Sequence, residues 1–143
     1  MKRTHLLLVE DNEGDIVLTK EAFEERNIIN EMSVVKDGKE AISFLLREGI
    51  YEHAKTPDLV LLDINLPKKS GHEVLEFIKN HDDLKHIPVI MLTTSSSHSD
   101  IRKSYRNHAN CFITKPIEVS DFIKAISVIE DFWFNTVALP PKV

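Results

Sequence analysis

Leu59, Val60, Leu61 and Leu62 are four consecutive apolar residues that run directly into Asp63, and Pro67 stops the segment four residues later. A continuous apolar run of this length reads as a strand buried on both faces, the kind found in parallel sheets covered by helices. Asp63 then stands where the strand leaves the sheet. In open α/β sheets, ligands bind in the crevice outside the carboxyl ends of the strands. An acid there is either a cap for the following turn or the centre of a site.

The same pattern recurs along the chain. Leu6 to Val9 is a second short apolar run, ending in Glu10 and Asp11. Met32 to Val35 is a third, followed by an Asp37-Gly38 turn. Pro88 opens the run Val89 to Leu92, which meets the hydroxyl residues Thr93 to Ser97. Cys111 to Ile113 is the last, followed by Lys115-Pro116. Between these runs the apolar residues fall at helical spacing: from about Asp15 to Arg26, from about Lys39 to Arg47, around Val74, Leu75 and Ile78, around Ile101, Tyr105 and Ala109, and from Val119 to Phe134. Residues 49–57 read as a polar loop. Strands that alternate with helices imply βαβ units and a parallel sheet with helices on both faces. Five such units predict an α/β, flavodoxin-like doubly wound sheet with strand order 2-1-3-4-5 and five helices. Its switch point lies between the first and third strands.

A chain of 143 residues suits one domain, expected over residues 1–134 with a tail at 135–143. The net charge of −5 argues against a nucleic-acid-binding surface. Cys111 is the single cysteine, so neither a disulfide nor a cysteine metal site is expected. The apolar run near the N-terminus is too short for a signal peptide, and no stretch is long enough to span a membrane. The expected location is therefore the cytoplasm, with no membrane partner.

In a parallel sheet the strand ends Glu10-Asp11, Asp63, Thr93 and Lys115 all fall on one edge. The first and third strands are neighbours at the switch point, so Glu10, Asp11 and Asp63 should converge. Three carboxylates in one crevice repel one another unless a cation joins them. Oxygen ligands without His or Cys favour a hard cation, Mg²⁺ before Ca²⁺. A hydroxyl from Thr93 and an ammonium from Lys115 beside such a cluster suit the oxygens of a phosphoryl group. Asp63 can then be the nucleophile that receives it as an acyl phosphate.

This set, on a five-fold strand-helix repeat, resembles the receiver domains of two-component response regulators, over residues 6–134. The Asp63-to-Gly71 segment, the 49–57 loop and the tail from Trp133 to Pro140 resemble the single-domain regulators paired with cyanobacterial and bacterial phytochrome kinases. The resemblance implies Asp63 as phosphoacceptor, Asp11 as a direct Mg²⁺ ligand, Glu10 acting through water and the backbone carbonyl of Asn65 as a further ligand. It implies Thr93 as a switch hydroxyl, Lys115 as its phosphoryl-pairing partner, and Phe112 as the aromatic switch position. It also implies a cis peptide between Lys115 and Pro116. Glu10 stands where the family often has Asp. The implied partner is a sensor histidine kinase, of phytochrome type by subgroup. With about ten residues after the last helix, output is expected through partner binding or phosphate relay rather than through an attached domain.

The last helix carries a second apolar set, Ala125, Val128 and Phe132, which Phe134, Val137 and Leu139 extend. A helix apolar nearly all round is buried on more than one side. The favoured expectation is a homodimer through this helix and tail, and the alternative is a tail packed back onto its own domain. The seven histidines show no metal-binding spacing and are expected at the surface. Two other readings stay open. One is a Mg²⁺-dependent phosphatase on a similar sheet, which would need a second acid near Asp63, where Asn65 stands. The other is an adaptor that is not phosphorylated, which the complete acid-hydroxyl-lysine set disfavours.

Overall fold

A computed structural model describes residues 5–26, 31–93, 102, 103, 106, 109 and 111–114. The order is β1 (His5–Val9), α1 (Glu13–Arg26), β2 (Glu31–Val35), α2 (Gly38–Leu46), a 3-10 turn (Gly49–Tyr51), β3 (Leu59–Asp63), α3 (Gly71–Lys79), β4 (Val89–Thr93) and β5 (Cys111–Thr114). The strands form one parallel sheet in the order β2-β1-β3-β4-β5. The α/β flavodoxin-like sheet expected from the alternation is thus found. Three α-helices lie among the described residues. Arg102, Lys103 and Arg106 are also helical. The expected last helix, the tail and their dimer contact lie outside the described residues.

The period-two geometry of strands divides the core. Leu6, Leu8, Leu59, Leu61, Ile90 and Leu92 pack with Ile16 and Phe23 of α1 on one face. Leu7, Val9, Val60, Leu62, Val89 and Met91 pack with α2 and α3 on the other, against Phe44, Leu45, Leu75 and Ile78. Both faces are buried, which is why these strands read as unbroken apolar runs rather than as alternation. Each such buried leucine contributes about 1.5–3 kcal/mol of transfer free energy.

Helix ends follow local chemistry. Asn12 caps α1: its Oδ1 accepts from the Asp15 N–H at 3.0 Å. The helix therefore begins at Glu13, earlier than the apolar spacing suggested. Asp37 caps α2 by accepting from the Glu40 N–H at 2.7 Å. Ser70 and Glu73 form a capping box at α3, with reciprocal bonds of 3.2 Å. The backbone bond from Ser70 holds the Glu73 carboxyl below its ordinary value. After α2, Arg47 turns left-handed at φ 56 and the chain enters the 3-10 turn, where an irregular polar loop was expected.

Among the described residues, two histidines depart from the surface expectation. His5 is buried at the start of β1, where its Nε2 lies 2.9 Å from Ser33 Oγ and its ring packs 6.0 Å from that of Phe44. His72, the second residue of α3, is also buried. Both sit on elements whose inward faces run through those positions. Spacing rules for metal ligands do not test for this, and a buried ring with polar partners is a stable alternative to exposure.

Candidate functional site

Register brings the acids together. Val9 pairs with Leu62, so the next residues along are Glu10, just past β1, and Asp63, the last residue of β3. Glu10 continues the parity of Leu6 and Leu8, and Asp63 that of Leu59 and Leu61, so both belong to the face that α1 covers. Glu10 is 1 % exposed and Asp63 8 % exposed, whereas Asp11 is open to solvent. One carboxylate oxygen from each of Glu10, Asp11 and Asp63 lies within 4.8 Å of the others. This is the one group of three or more His, Cys, Asp or Glu side chains with such geometry among the described residues.

The backbone holds each acid in place. The Glu10 N–H donates to the Val35 carbonyl at 3.0 Å, tying the end of β1 to β2. Glu10 Oε2 accepts from the Asn12 N–H at 3.3 Å. Asn12, not Asp11, caps the helix, which leaves the Asp11 carboxylate outside that cap. On β3, Asp63 Oδ1 accepts from the Asn65 N–H at 3.2 Å. The Ile64 carbonyl accepts from Leu66 at 3.1 Å and from Gly71 at 2.7 Å, closing the loop 64–71 on itself. Gly71 packs so tightly that a Cβ there would lie 2.2 Å from the Asp63 carbonyl oxygen. Glycine is required by this close approach.

Three carboxylates, two of them buried, on an oxygen-only site match a hard divalent cation. Of the remaining residues predicted for the site, Thr93 and Phe112 lie on the neighbouring strands. Thr93 is the last residue of β4, paired with Thr114, one position beyond the pair Asp63–Leu92. Phe112 is in β5, paired with Met91. Lys115 and Pro116 lie outside the described residues. Residue-type reasoning overlooked Gly71 and Gly38 in this region. The signal available for them was their position, one at each helix start flanking the loops of the acidic edge.

The family model described as the response regulator receiver domain matches residues 6–127. The chain belongs to this family. It is 46% identical over 135 residues to the response regulator Rcp1 of Synechocystis sp., covering 94% of this chain and 92% of that protein. Among solved structures, the phosphorylated cyanobacterial phytochrome response regulator RcpA matches with a TM-score of 0.93 at 46% identity, covering 98% of this chain and all of that one. The Mn²⁺-bound form of Rcp1 matches with a TM-score of 0.91 at 45% identity, covering 96% of this chain and 99% of that one. The receiver domain is thus a two-component signalling module of the kind to which the phytochrome-associated regulators belong. No helix among the described residues is long and apolar enough to cross a membrane.

Proposed function

We propose that this receiver domain accepts a phosphoryl group on Asp63 from a sensor histidine kinase, in the presence of Mg²⁺. The observation that carries the reading is the convergence of Glu10, Asp11 and Asp63 at the end of the parallel sheet. An Asp63 carboxylate oxygen attacks phosphorus. The O–P bond forms as the N–P bond to the donor histidine breaks, and the imidazole leaves with the electron pair. Asp11 would ligate Mg²⁺ directly, with Asp63 and the Asn65 carbonyl, and Glu10 would act through water. A bound Mg²⁺ would offset negative charge on the phosphoryl oxygens. Thr93 and Lys115 hold the remaining oxygens, and Phe112 relays the change by ring packing. Lys115-Pro116 is the cis peptide of this reading.

The Mn²⁺-bound relative and the phosphorylated relative support this assignment. They also support a phytochrome-type kinase as the partner. The domain spans residues 1–134 with five helices, followed by a tail at 135–143, and acts in the cytoplasm as a signalling protein rather than an enzyme. Homodimerisation through the last helix and tail rests on Ala125, Val128, Phe132 and Phe134. Sedimentation of a chain truncated after Asp131 tests it: a halved mass is expected, and an unchanged mass counts against the dimer.

Transfer from an autophosphorylated histidine kinase tests the function. Label is expected on the wild-type chain with Mg²⁺ and lost on chelation. Label that survives in Asp11→Asn at the wild-type rate would contradict the metal assignment.

A further inference from the structure

Gly38 opens α2, yet its tightest neighbour belongs to the β3–α3 connection. A Cβ at Gly38 would lie 2.0 Å from the Lys69 carbonyl oxygen, 2.7 Å from its carbonyl carbon and 2.8 Å from Lys69 Cβ. Two of these three contacts are with backbone, so rotating a side chain cannot relieve them. The Gly38 N–H also donates to the Pro67 carbonyl at 3.3 Å. Beside it, Asp37 Oδ2 lies 3.6 Å from Lys68 Nζ, while Asp37 itself is buried and bound to the Glu40 N–H. Lys68 sits at φ 68, in the left-handed region that residues with a Cβ seldom occupy. Pro67, Lys68 and Lys69 are therefore each engaged by the first two residues of the α2 cap.

The other end of this loop is the site. Asn65 donates to Asp63 Oδ1, and the Ile64 carbonyl takes the N–H groups of Leu66 and Gly71. A displacement at 67–69 has few residues over which to dissipate before it reaches Asn65.

We infer that Gly38, assisted by the Asp37–Lys68 pair, is a positioning residue for the phosphoacceptor loop. The N-terminus of α2 sets the path of residues 64–70, and with it the placement of the Asn65 carbonyl and the Asp63 carboxylate against Glu10 and Asp11. Gly38 itself touches no reacting atom. The inference rests on the phosphoacceptor reading and adds to it a residue on a different element.

The test is Mn²⁺ affinity of the full chain, measured by electron paramagnetic resonance at a temperature where circular dichroism shows each variant folded. Gly38→Ala is expected to weaken Mn²⁺ binding at least fivefold. Leu84→Val, which loosens the core beyond the far end of α3, is expected to lower thermal stability and leave affinity at the wild-type value. Lys68→Met gives a result of opposite sign for the two explanations. Removing a positive charge near the site strengthens cation binding through the field alone, whereas releasing the loop weakens it. Weakening of about twofold or more is expected. Should Gly38→Ala not fold, Lys68→Met decides by itself. Wild-type affinity in Gly38→Ala, or tighter binding in Lys68→Met, would overturn the positioning role while leaving the phosphoacceptor reading intact. Failure of the wild-type chain to bind Mn²⁺ would overturn both.

Discussion

Gly71 presses against the backbone of Asp63: a Cβ at Gly71 would lie 2.2 Å from the Asp63 carbonyl oxygen and 2.6 Å from Ile64 Cα. The first residue of α3 thus rests on the last residue of β3. Gly71→Ala must move one of them, and such overpacking costs about 1–3 kcal/mol. Urea unfolding is expected to show a lower midpoint, corresponding to a loss of stability of that size, with loss of phosphorylation in the protein that remains folded. An unchanged midpoint would mean that the helix start yields without cost.

Asn12 is the cap of α1, next to two of the acids. Asn12→Ala removes the bond to the Asp15 N–H and is expected to cost about 1 kcal/mol in urea unfolding. Asn12→Asp keeps the cap and is expected to stay close to the wild type. Equal stability of Asn12→Ala and the wild type would contradict the cap.

Tyr51 ties the 3-10 turn to α2. Its hydroxyl donates to Glu40 Oε1 at 2.5 Å, and its ring meets that of Phe44 edge-on at 5.2 Å. Burial first, then the Glu40 carboxylate, pushes its pKa from the ordinary 10.0 up to about 12. Because the folded value is raised, this contribution to stability is complete below pH 10 and is lost as pH climbs through about 12. The difference in tyrosinate absorbance between wild type and Tyr51→Phe is expected to titrate near 12. A midpoint near 10 would contradict the bond. Tyr51→Phe is expected to cost about 1 kcal/mol at neutral pH, below the usual range for a bond to a charged acceptor because the residue is only half-buried.

Much of this architecture is legible in the sequence because strands buried on both faces leave unbroken apolar runs. Leu59–Leu62 and Leu6–Val9 could be ordered into a parallel sheet, and the acids that follow them then had to meet at its edge. The helix starts were less legible. Asn12 and Asp11 are both good caps by residue type, and only the bond to Asp15 distinguishes them. Ser70-Gly71-His72-Glu73 carries the spacing of a capping box, but the apolar positions of α3 begin later and draw attention away from it. The burial of His5 and His72 is not legible locally, because burial of a polar ring depends on partners distant in sequence, Ser33 and Phe44 in the case of His5. The tight contacts of Gly38 and Gly71 are tertiary as well: a Asp-Gly pair signals a turn, and nothing local says that another loop's carbonyl occupies the space of the missing side chain.

The most direct measurement is intact-protein mass after incubation with Mg²⁺ and acetyl phosphate, with wild type beside Asp63→Asn. One added phosphoryl group on the wild type and none on the variant is the expected result, and it would establish Asp63 as the acceptor. No adduct on the wild type would contradict the phosphoacceptor mechanism, and an adduct on both proteins would place the acceptor elsewhere in the chain.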